Sequence, residues 1–587
     1  MTNSEIAGIF EKIAEILEIK DENPFKIRAY LNASGIISRM SENLTDILGG
    51  GQIDIPGIGK DLFSKIKEIV NTGHLVYYDE LANSIPPGIL ELVGLHGLGP
   101  RKANFLYRNL NIKSIDNLRN AIEAGKLYNV RGFGEKTIEN LRKSIEEYMV
   151  FRQRFLYPVA AEQALLLEAY LKNTDIIKGD IAIAGSLRRK TETVGDINIV
   201  AAVKDKNKKE FKEWFLNYDE ILRVEFVGET GISLVLKSGI NVSLYIVSDD
   251  DFVCALRHFT GSKLHNEELR MTVRKYGYDI NEHGIFTNKE TAGGEDRIRV
   301  NSEVEFYGVF AMQYIPPELR EGVGEITAAL NGNIPDMVEE KDLRGVFHIH
   351  TTYTDGKDSL EAIVEACMKE GYSYVGISDH SVSAYYANGL SASELESQIE
   401  YIDRLNKKYK GRIKIFKGIE SDILPDGSLD YDNRTLSMLD FVIASVHSKF
   451  NMSEDMMTER IIKAIKNPYT TMIGHLTGRL LLERNGYPIN ISKILDYASE
   501  YKTIIELNAR PKRLDIDWRY IKEAIGKGVL LSINPDAHDA SSVNLVNCGI
   551  NIARKGWAKK SDILNTRDAS VVADVLTSIR DHKKKLK

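Results

Sequence analysis

The stretch Val346–Gly356, VFHIHTTYTDG, sets two histidines and an aspartate against a short apolar run. Val346, Phe347 and Ile349 predict a buried strand, and His348 and His350, two residues apart, would then share one of its faces. Two imidazoles at a strand end, with Asp355 just past a turn, make a metal-ligand set. A single such pair reads equally well as two hydrogen-bonded core histidines. The pattern recurs, however. Tyr374–Ile377 leads to Asp379-His380, Ile413–Phe416 to Glu420 and Asp422, and Phe441–Val446 to His447. Thr471–Ile473 leads to His475, Thr503–Leu507 to Asn508, and Val529–Ile533 to Asp536-Ala537-His538. Between these runs Leu360–Lys369, Ser393–Lys407 and Met457–Lys466 have helical spacing. Strands alternating with helices imply a parallel sheet, and many repeats imply a barrel with its reactive groups at the C-terminal ends of the strands.

Composition bounds the rest. With 587 residues, 43% of them hydrophobic, the chain is long enough for about four folded units. A net charge of −7 does not point to nucleic acid, but an average hides local patches and a carboxylate-rich metal site lowers it. No apolar run is long enough to span a membrane. Met1–Lys20 is amphipathic and acidic, unlike a targeting signal. Cys254, Cys367 and Cys548 are dispersed, which fits a reducing, cytoplasmic setting without disulfides.

Near the N-terminus, Ile6, Phe10, Ile13 and Leu17 fall on one helical face. Ile55-Pro56-Gly57-Ile58-Gly59-Lys60 precedes a helix-like run, and the theme returns twice. Gly94-Leu95-His96-Gly97-Leu98-Gly99-Pro100-Arg101-Lys102 is one copy, and Val130-Arg131-Gly132-Phe133-Gly134-Glu135-Lys136 the other. Glycines at a helix start allow close backbone approach and leave N–H groups to face a phosphate. The three copies resemble helix-hairpin-helix motifs, which implies DNA-backbone contacts from Gly57, Gly59, Lys60, Gly97, Gly99, Arg101, Lys102, Gly132, Gly134 and Lys136. Such binding weakens steeply with salt. Lys65, on the helix after the first copy, stands where some relatives carry a lysine that opens abasic sugars; the expected role here is a phosphate contact or a solvated side chain.

Phe155–Tyr170 has a helical apolar face, and Ile181–Ala184 predicts a strand ending in Gly185-Ser186-Leu187-Arg188-Arg189. A small turn with two arginines suits a triphosphate. With Thr193–Val200, Ala255–Arg270 and Tyr314–Arg320, these segments resemble the palm and thumb of a family X DNA polymerase of the bacterial and archaeal type. The resemblance implies that Gly185, Ser186 and Arg189 hold nucleotide phosphates, and that Phe259, Gly261, Asn266 and Arg270 line the base and sugar pocket. About Glu339–Leu576 resembles the PHP domain attached in that group, a distorted (β/α)7 barrel with a phosphoesterase site. By that resemblance the metal ligands are His348, His350, Asp355, His380, Glu420, His447, His475, Asp536 and His538, with Glu420 and Asp536 also catalytic.

The chain departs from family X at the palm. The family's pair of strand carboxylates reads Asp196-Ile197-Asn198, and its third carboxylate is Ser243. Magnesium favours anionic oxygen ligands in octahedral geometry, which an amide and a hydroxyl do not supply. Asp196 alone stays charged, so magnesium binding at the palm is expected to be weak or absent and polymerase activity weak or lost. Asp249, Asp250 and Asp251 lie about six residues further on, roughly 20 Å along a strand. His258 and Tyr245 also differ from the usual tyrosine and arginine.

The expected organisation is multidomain, α+β and α/β. A helical DNA-binding domain covers 1–80 and helix-hairpin-helix fingers 81–149. A nucleotidyltransferase-like palm covers 150–247, a thumb 248–317, a linker 318–339, and the PHP barrel 340–587. The tail Lys583–Lys587 reads as a solvated end. The expected function is DNA repair by a metal-dependent 3′–5′ exonuclease or 3′-end-processing phosphoesterase, with abasic-site cleavage and 3′-phosphate removal as variants. The alternative is an active gap-filling polymerase that uses Asp196 and substrate phosphates, with the barrel proofreading. Two or three ions of manganese, zinc or iron(II) suit the histidine-rich barrel. The expected partners are gapped, nicked or 3′-recessed DNA and a dNTP, with the protein a monomer. A bare DNA-binding scaffold and a small-molecule phosphatase are disfavoured by the full ligand set and the three hairpins respectively.

Overall fold

A computed structural model describes residues 3–37, 40, 44, 55, 57–93, 95, 98–128, 130, 132–152, 154–287 and 297–586. The chain divides into two compact units, Met1–Gln153 with Ala384–Asn388, and the remainder.

The first unit is helical. Ile6, Phe10, Ile13 and Leu17 are buried in its core, as their spacing predicts. The helices Lys60–Thr72, Pro100–Leu110 and Glu135–Arg152 each follow a glycine pair. Gly57 and Gly132, the first glycines of two pairs, have φ of 88° and 92°, a left-handed backbone that a side chain would strain. Gly97 lies outside the described residues.

In the second unit the palm is a five-stranded sheet, ordered Ile181–Ile183, Asp196–Ala202, Asn241–Val247, Gly231–Leu236 and Ile221–Val227. Asp196–Ala202 runs parallel to Asn241–Val247, with Asn198 beside Ser243. The thumb follows, with helices Phe252–Thr260, Lys263–Arg274 and Glu303–Gly308. Residues 318–339, expected as a linker, are instead packed into the thumb: Leu319, Ile326, Ala329 and Met337 join its core. Arg320 is fully buried.

Arg320 explains why this segment is held. Its Nη1 donates to Glu303 Oε1 at 2.7 Å, while Arg188 of the palm turn bonds both Glu303 oxygens at 3.0 and 2.7 Å. Burial alone would raise the Glu303 pKa, but the charges of Arg320 and Arg188 more than offset it and hold it at about 2. The folded value is the depressed one, so this contribution is complete above the ordinary 4.5 and is lost as pH falls toward 2. Glu303→Gln leaves the buried Arg320 and the partly buried Arg188 without their shared carboxylate and is expected to cost about 3–5 kcal/mol. Chemical denaturation at neutral pH, read on a palm–thumb probe, checks this; a loss under about 1 kcal/mol would rule the network out as a structural tie.

The C-terminal barrel has two parallel sheets. One holds Gly345–Ile349, Tyr374–Ile377 and Lys414–Lys417; the other holds Glu420–Asp422, Ile443–Ser445, Met472–Ile473, Ile504–Asn508 and Leu531–Asn534. Bridges His380–Glu420 and Ile349–Ala537 join them into a ring. Lys414–Asp422 acts as one strand broken at Gly418-Ile419, which makes a distorted (β/α)7 barrel as expected. Phe347, Phe416 and Phe441 fill its lower end, closed by Val572, Leu576 and Ile579 of the helix Ala569–Leu586. A Cβ on Gly376 would lie 2.1 Å from the Phe347 ring, and one on Gly418 2.1 Å from Phe441. These glycines are the clearance for the aromatic plug.

Lys583, expected in a solvated tail, is fully buried. Its Nζ donates to the carbonyls of Ile465 and Thr470 at 2.6 Å, by the C-terminal end of the helix Glu454–Lys466, while burial pushes its pKa well down. Unpaired carbonyls and the negative end of a helix dipole are a site that a lysine can satisfy.

Candidate metal centre and palm cleft

The upper end of the barrel brings all nine expected ligands together. Their ligand atoms form four overlapping groups, each within 4.8 Å: His350, Asp355, His380 and His538; His348, His350 and Asp536; His348, Glu420 and His475; and His380, Glu420 and His447. Glu420 is the hub. Its Oε1 lies 3.2 Å from His348 Nε2, 2.9 Å from His475 Nε2 and 3.3 Å from His447 Nε2. Its Oε2 lies 3.1 Å from His380 Nδ1 and 3.6 Å from His350 Nε2.

His348 and His350 do converge, but not through strand alternation. The pairing with Tyr374–Ile377 shifts register between Val346 and Ile349. His348 takes a left-handed φ of 59° within that irregularity, and His350 lies past the strand end. Asp536 and His475 are also left-handed, at 49° and 25°. Each such conformation costs about 1–3 kcal/mol and gathers where function demands it.

The donor set fits divalent cations. His348 Nε2 and both ring nitrogens of His350 are buried and make no hydrogen bond within the described structure. Their neighbours are carboxylate oxygens 3.2–3.8 Å away. An ion between lone pairs and carboxylates satisfies both. Burial, with the nearby His538 and His380, holds His350 neutral with a pKa of about 3, the form that ligates a metal. Burial opposes ionisation of Glu420 too, but the charges of His348, His447 and His380 outweigh it and keep the carboxyl well below its usual range.

A second layer orients these ligands. Glu506 accepts from His348 Nδ1, from the His475 backbone N–H at 2.7 Å and from Asn534 Nδ2 at 2.8 Å. Asp422 lies 2.5 Å from His447 Nδ1, and Asn508 Nδ2 donates to Asp536 at 3.0 Å. Glu506 was not foreseen as a site residue; the available signal was a carboxylate within the otherwise apolar Ile504–Leu507. Glu506→Gln is expected to weaken metal affinity about 10–100-fold, measured by chelator competition. Unchanged affinity would make Glu506 a packing residue only.

The palm forms a cleft of about 620 Å³ lined by Gly185, Ser186, Arg189, Asp196, Asn198, Phe259, Gly261, Asn266 and Arg270. Several of these groups are already engaged. Arg189 Nε donates to Glu321 at 2.9 Å and its Nη1 to the Thr260 carbonyl at 2.6 Å. The Asn266 amide joins Arg257 and the His258 carbonyl, both at 2.8 Å. Phe259 stacks on Tyr245 at 3.6 Å, and the Tyr245 hydroxyl donates to Asn198 Oδ1 at 3.2 Å. A Cβ on Gly185 would meet the Asn198 amide at 2.6 Å, so the turn sits directly on that side chain. Asp251 and Asp250 are tied to Arg297 and Arg299 at 2.6 and 3.1 Å.

In the helical unit, Gly59 and Gly99 start their helices in extended conformation without a side-chain cap. Lys60, Gly134 and Lys136 are exposed beside the hairpins. Arg101 is exposed but bonds Glu18 at 2.9 Å, and Lys102 lies over the Phe133 ring. Lys65, rather than being solvated, bonds Asp61 at 2.6 Å and lies 5.0 Å from the Tyr77 ring centre.

Comparison with known proteins agrees with this layout. Residues 1–75 match a helix-hairpin-helix domain, 89–147 a SAM-like helix-hairpin-helix tandem, 255–321 the DNA polymerase beta thumb, and 347–534 the PHP domain. A Bacillus subtilis protein named DNA polymerase/3′-5′ exonuclease PolX is 36% identical over 570 residues, 97% of this chain and 98% of that relative. A probable phosphatase of Thermoanaerobacter is 34% identical over 172 residues, covering 28% of this chain and 67% of the relative. Another, from Caldanaerobacter subterraneus, is 29% identical over 243 residues, covering 38% and 88%. Among the described residues no helix is long and apolar enough to cross a membrane.

Proposed function

The chain belongs to the family of the DNA polymerase/3′-5′ exonuclease PolX, and from that premise we propose that its working site is the barrel, which trims DNA 3′ ends, while its palm extends them weakly or not at all. The observation that carries this reading is the contrast between the two pockets. Around Glu420 every ligand position has a metal-competent side chain. At the palm only Asp196 is charged among the three positions 196, 198 and 243.

Two or three divalent ions, of manganese, zinc or iron(II) on the donor chemistry, would be held by His350, Asp355, His380 and His538, by His348 and Asp536, and by Glu420, His447 and His475. Bound there they supply charge neutralisation at a phosphate and a water of lowered pKa. The protein does the rest. Glu420 spans the ligand groups and fixes their spacing, Glu506 and Asp422 set the imidazole orientations, and burial keeps bulk water from His348, His350, Glu420 and Asp536. The hairpin glycines and Lys60, Arg101 and Lys136 hold duplex backbone without reading sequence, so that a 3′ terminus is presented. The remaining palm cleft accepts that terminus or a nucleotide.

The test is a 5′-labelled gapped duplex incubated with the full-length, manganese-loaded protein, with and without dNTPs. Shortening in both arms is expected. Efficient extension in the dNTP arm would favour the second reading, an active gap-filling polymerase, which the open palm cleft and the name of the Bacillus relative support.

A further inference from the structure

Exposure is graded across the barrel cluster. The side chains of His348, His350, Glu420 and Asp536 are 0–4% exposed, but His538 is 21% and Asp355 30%. Substrate therefore arrives over Asp355 and His538. Two arginines from the loop after the strand Ile504–Asn508 face Asp536, and the charge of Arg510 also reaches His538. Arg510 is 41% exposed with Nη1 3.8 Å from Asp536 Oδ1, and Arg513 is 18% exposed with Nε 3.5 Å from Asp536 Oδ2. The loop is held at both ends. Asn508 N–H donates to the Asp515 carbonyl at 2.6 Å, and the Arg513 carbonyl accepts from Arg479 Nε at 2.9 Å. Arg479 is itself anchored by Glu192 at 2.8 Å and Asp517 at 2.5 Å. A guanidinium on a fixed loop, half in solvent and half over a metal-site carboxylate, is placed for an incoming anion.

We propose that Arg510 is the phosphate clamp of the barrel site, contacting the non-bridging oxygens of the scissile phosphodiester or of a terminal phosphate. The proposal rests on the barrel being a DNA phosphoesterase. Asp536 holds Arg510 only at 3.8 Å, longer than a hydrogen bond. Engagement of Asp536 by a cation leaves less negative charge to retain the guanidinium. A phosphate at the opening then offers the planar, bidentate partner that arginine prefers. A clamp of this kind recognises backbone rather than base, so the site would trim 3′ ends without regard to sequence.

The test uses full-length manganese-loaded protein and Arg510→Ala, Arg510→Lys and Arg510→Gln variants. Three quantities are read: kcat and KM on a 5′-labelled oligonucleotide, manganese per chain by mass spectrometry, and affinity for inorganic phosphate by calorimetry. Arg510→Ala and Arg510→Gln are expected to lower kcat/KM by about 10²–10³-fold. They should weaken phosphate binding by about tenfold or more, at unchanged manganese content, and Arg510→Lys should recover part of both losses. Wild-type phosphate affinity in Arg510→Ala overturns the clamp, as does an activity loss that tracks manganese depletion. If wild-type protein binds phosphate through Arg510 but cleaves no DNA, the clamp stands and the DNA-processing reading fails.

Discussion

Replacing Glu420 with glutamine is expected to empty the barrel site and lower 3′-end hydrolysis by about a thousandfold or more. The substitution keeps the side chain's size and removes only its charge. Glu420 is 1% exposed, and its two oxygens face five imidazoles at 2.9–3.6 Å. In the amide, one of those oxygens becomes an NH₂ donor pointing at nitrogens that would donate electrons to a cation. Two ligand groups lose their shared anion at once. Metal-ion stabilisation of a phosphoryl transition state is worth several kcal/mol, and about 4 kcal/mol corresponds to roughly a thousandfold. The measurements are manganese per chain and kcat/KM on a labelled 3′ end. His265→Gln is the control for loss of a buried histidine, because that residue bonds Glu325 and Tyr307 in the thumb and belongs to none of the four ligand groups. A Glu420→Gln protein with full metal content and near-normal hydrolysis would show that the cluster is structural and that cleavage happens elsewhere.

Most of the barrel was legible because its strands are short apolar runs, each with a polar residue where the chain leaves the sheet. Tyr374–Ile377 and the helix Leu360–Lys369 fall where the pattern puts them. What the pattern could not carry was irregularity. A period of two predicts that His348 and His350 share a face, yet a register shift and a left-handed residue aim them, and backbone strain of that kind has no signature in side-chain alternation. Glu506 escaped notice because its value lies in what it touches 158 residues away, the ring of His348. Lys583 was misjudged for a related reason. A basic residue reads as surface until a partner is found for it, and its partners are backbone carbonyls more than a hundred residues away. At the palm, the amide at 198 and the hydroxyl at 243 are a matter of residue identity. That Tyr245 would turn its hydroxyl to Asn198 and its ring to Phe259 is a packing result.

That packing bears on the second large effect, the return of primer extension when Asn198 and Ser243 are both changed to aspartate. The two residues are partners on adjacent parallel strands, and Asp196 shares their face two residues before Asn198. Three carboxylates would then converge from strands about 4.8 Å apart, enough anionic oxygen to hold two magnesium ions. The cleft needs no new volume, since neither change adds bulk against Gly185 beyond what Asn198 already occupies. The Tyr245 hydroxyl, which donates to Asn198 Oδ1 at 3.2 Å, would donate equally well to a carboxylate and hold it in place. Restoring metal stabilisation worth about 4 kcal/mol implies an increase of about a thousandfold in single-nucleotide insertion over the starting protein. Extension of a labelled primer across a one-nucleotide gap, with magnesium and all four dNTPs, measures it. The assay is best run in a Glu420→Gln background so that trimming does not mask synthesis. Strong extension by the unmodified palm in that background would sink the idea that lost charge limits it, because Asp196 and the substrate's own phosphates would then suffice to hold the metals.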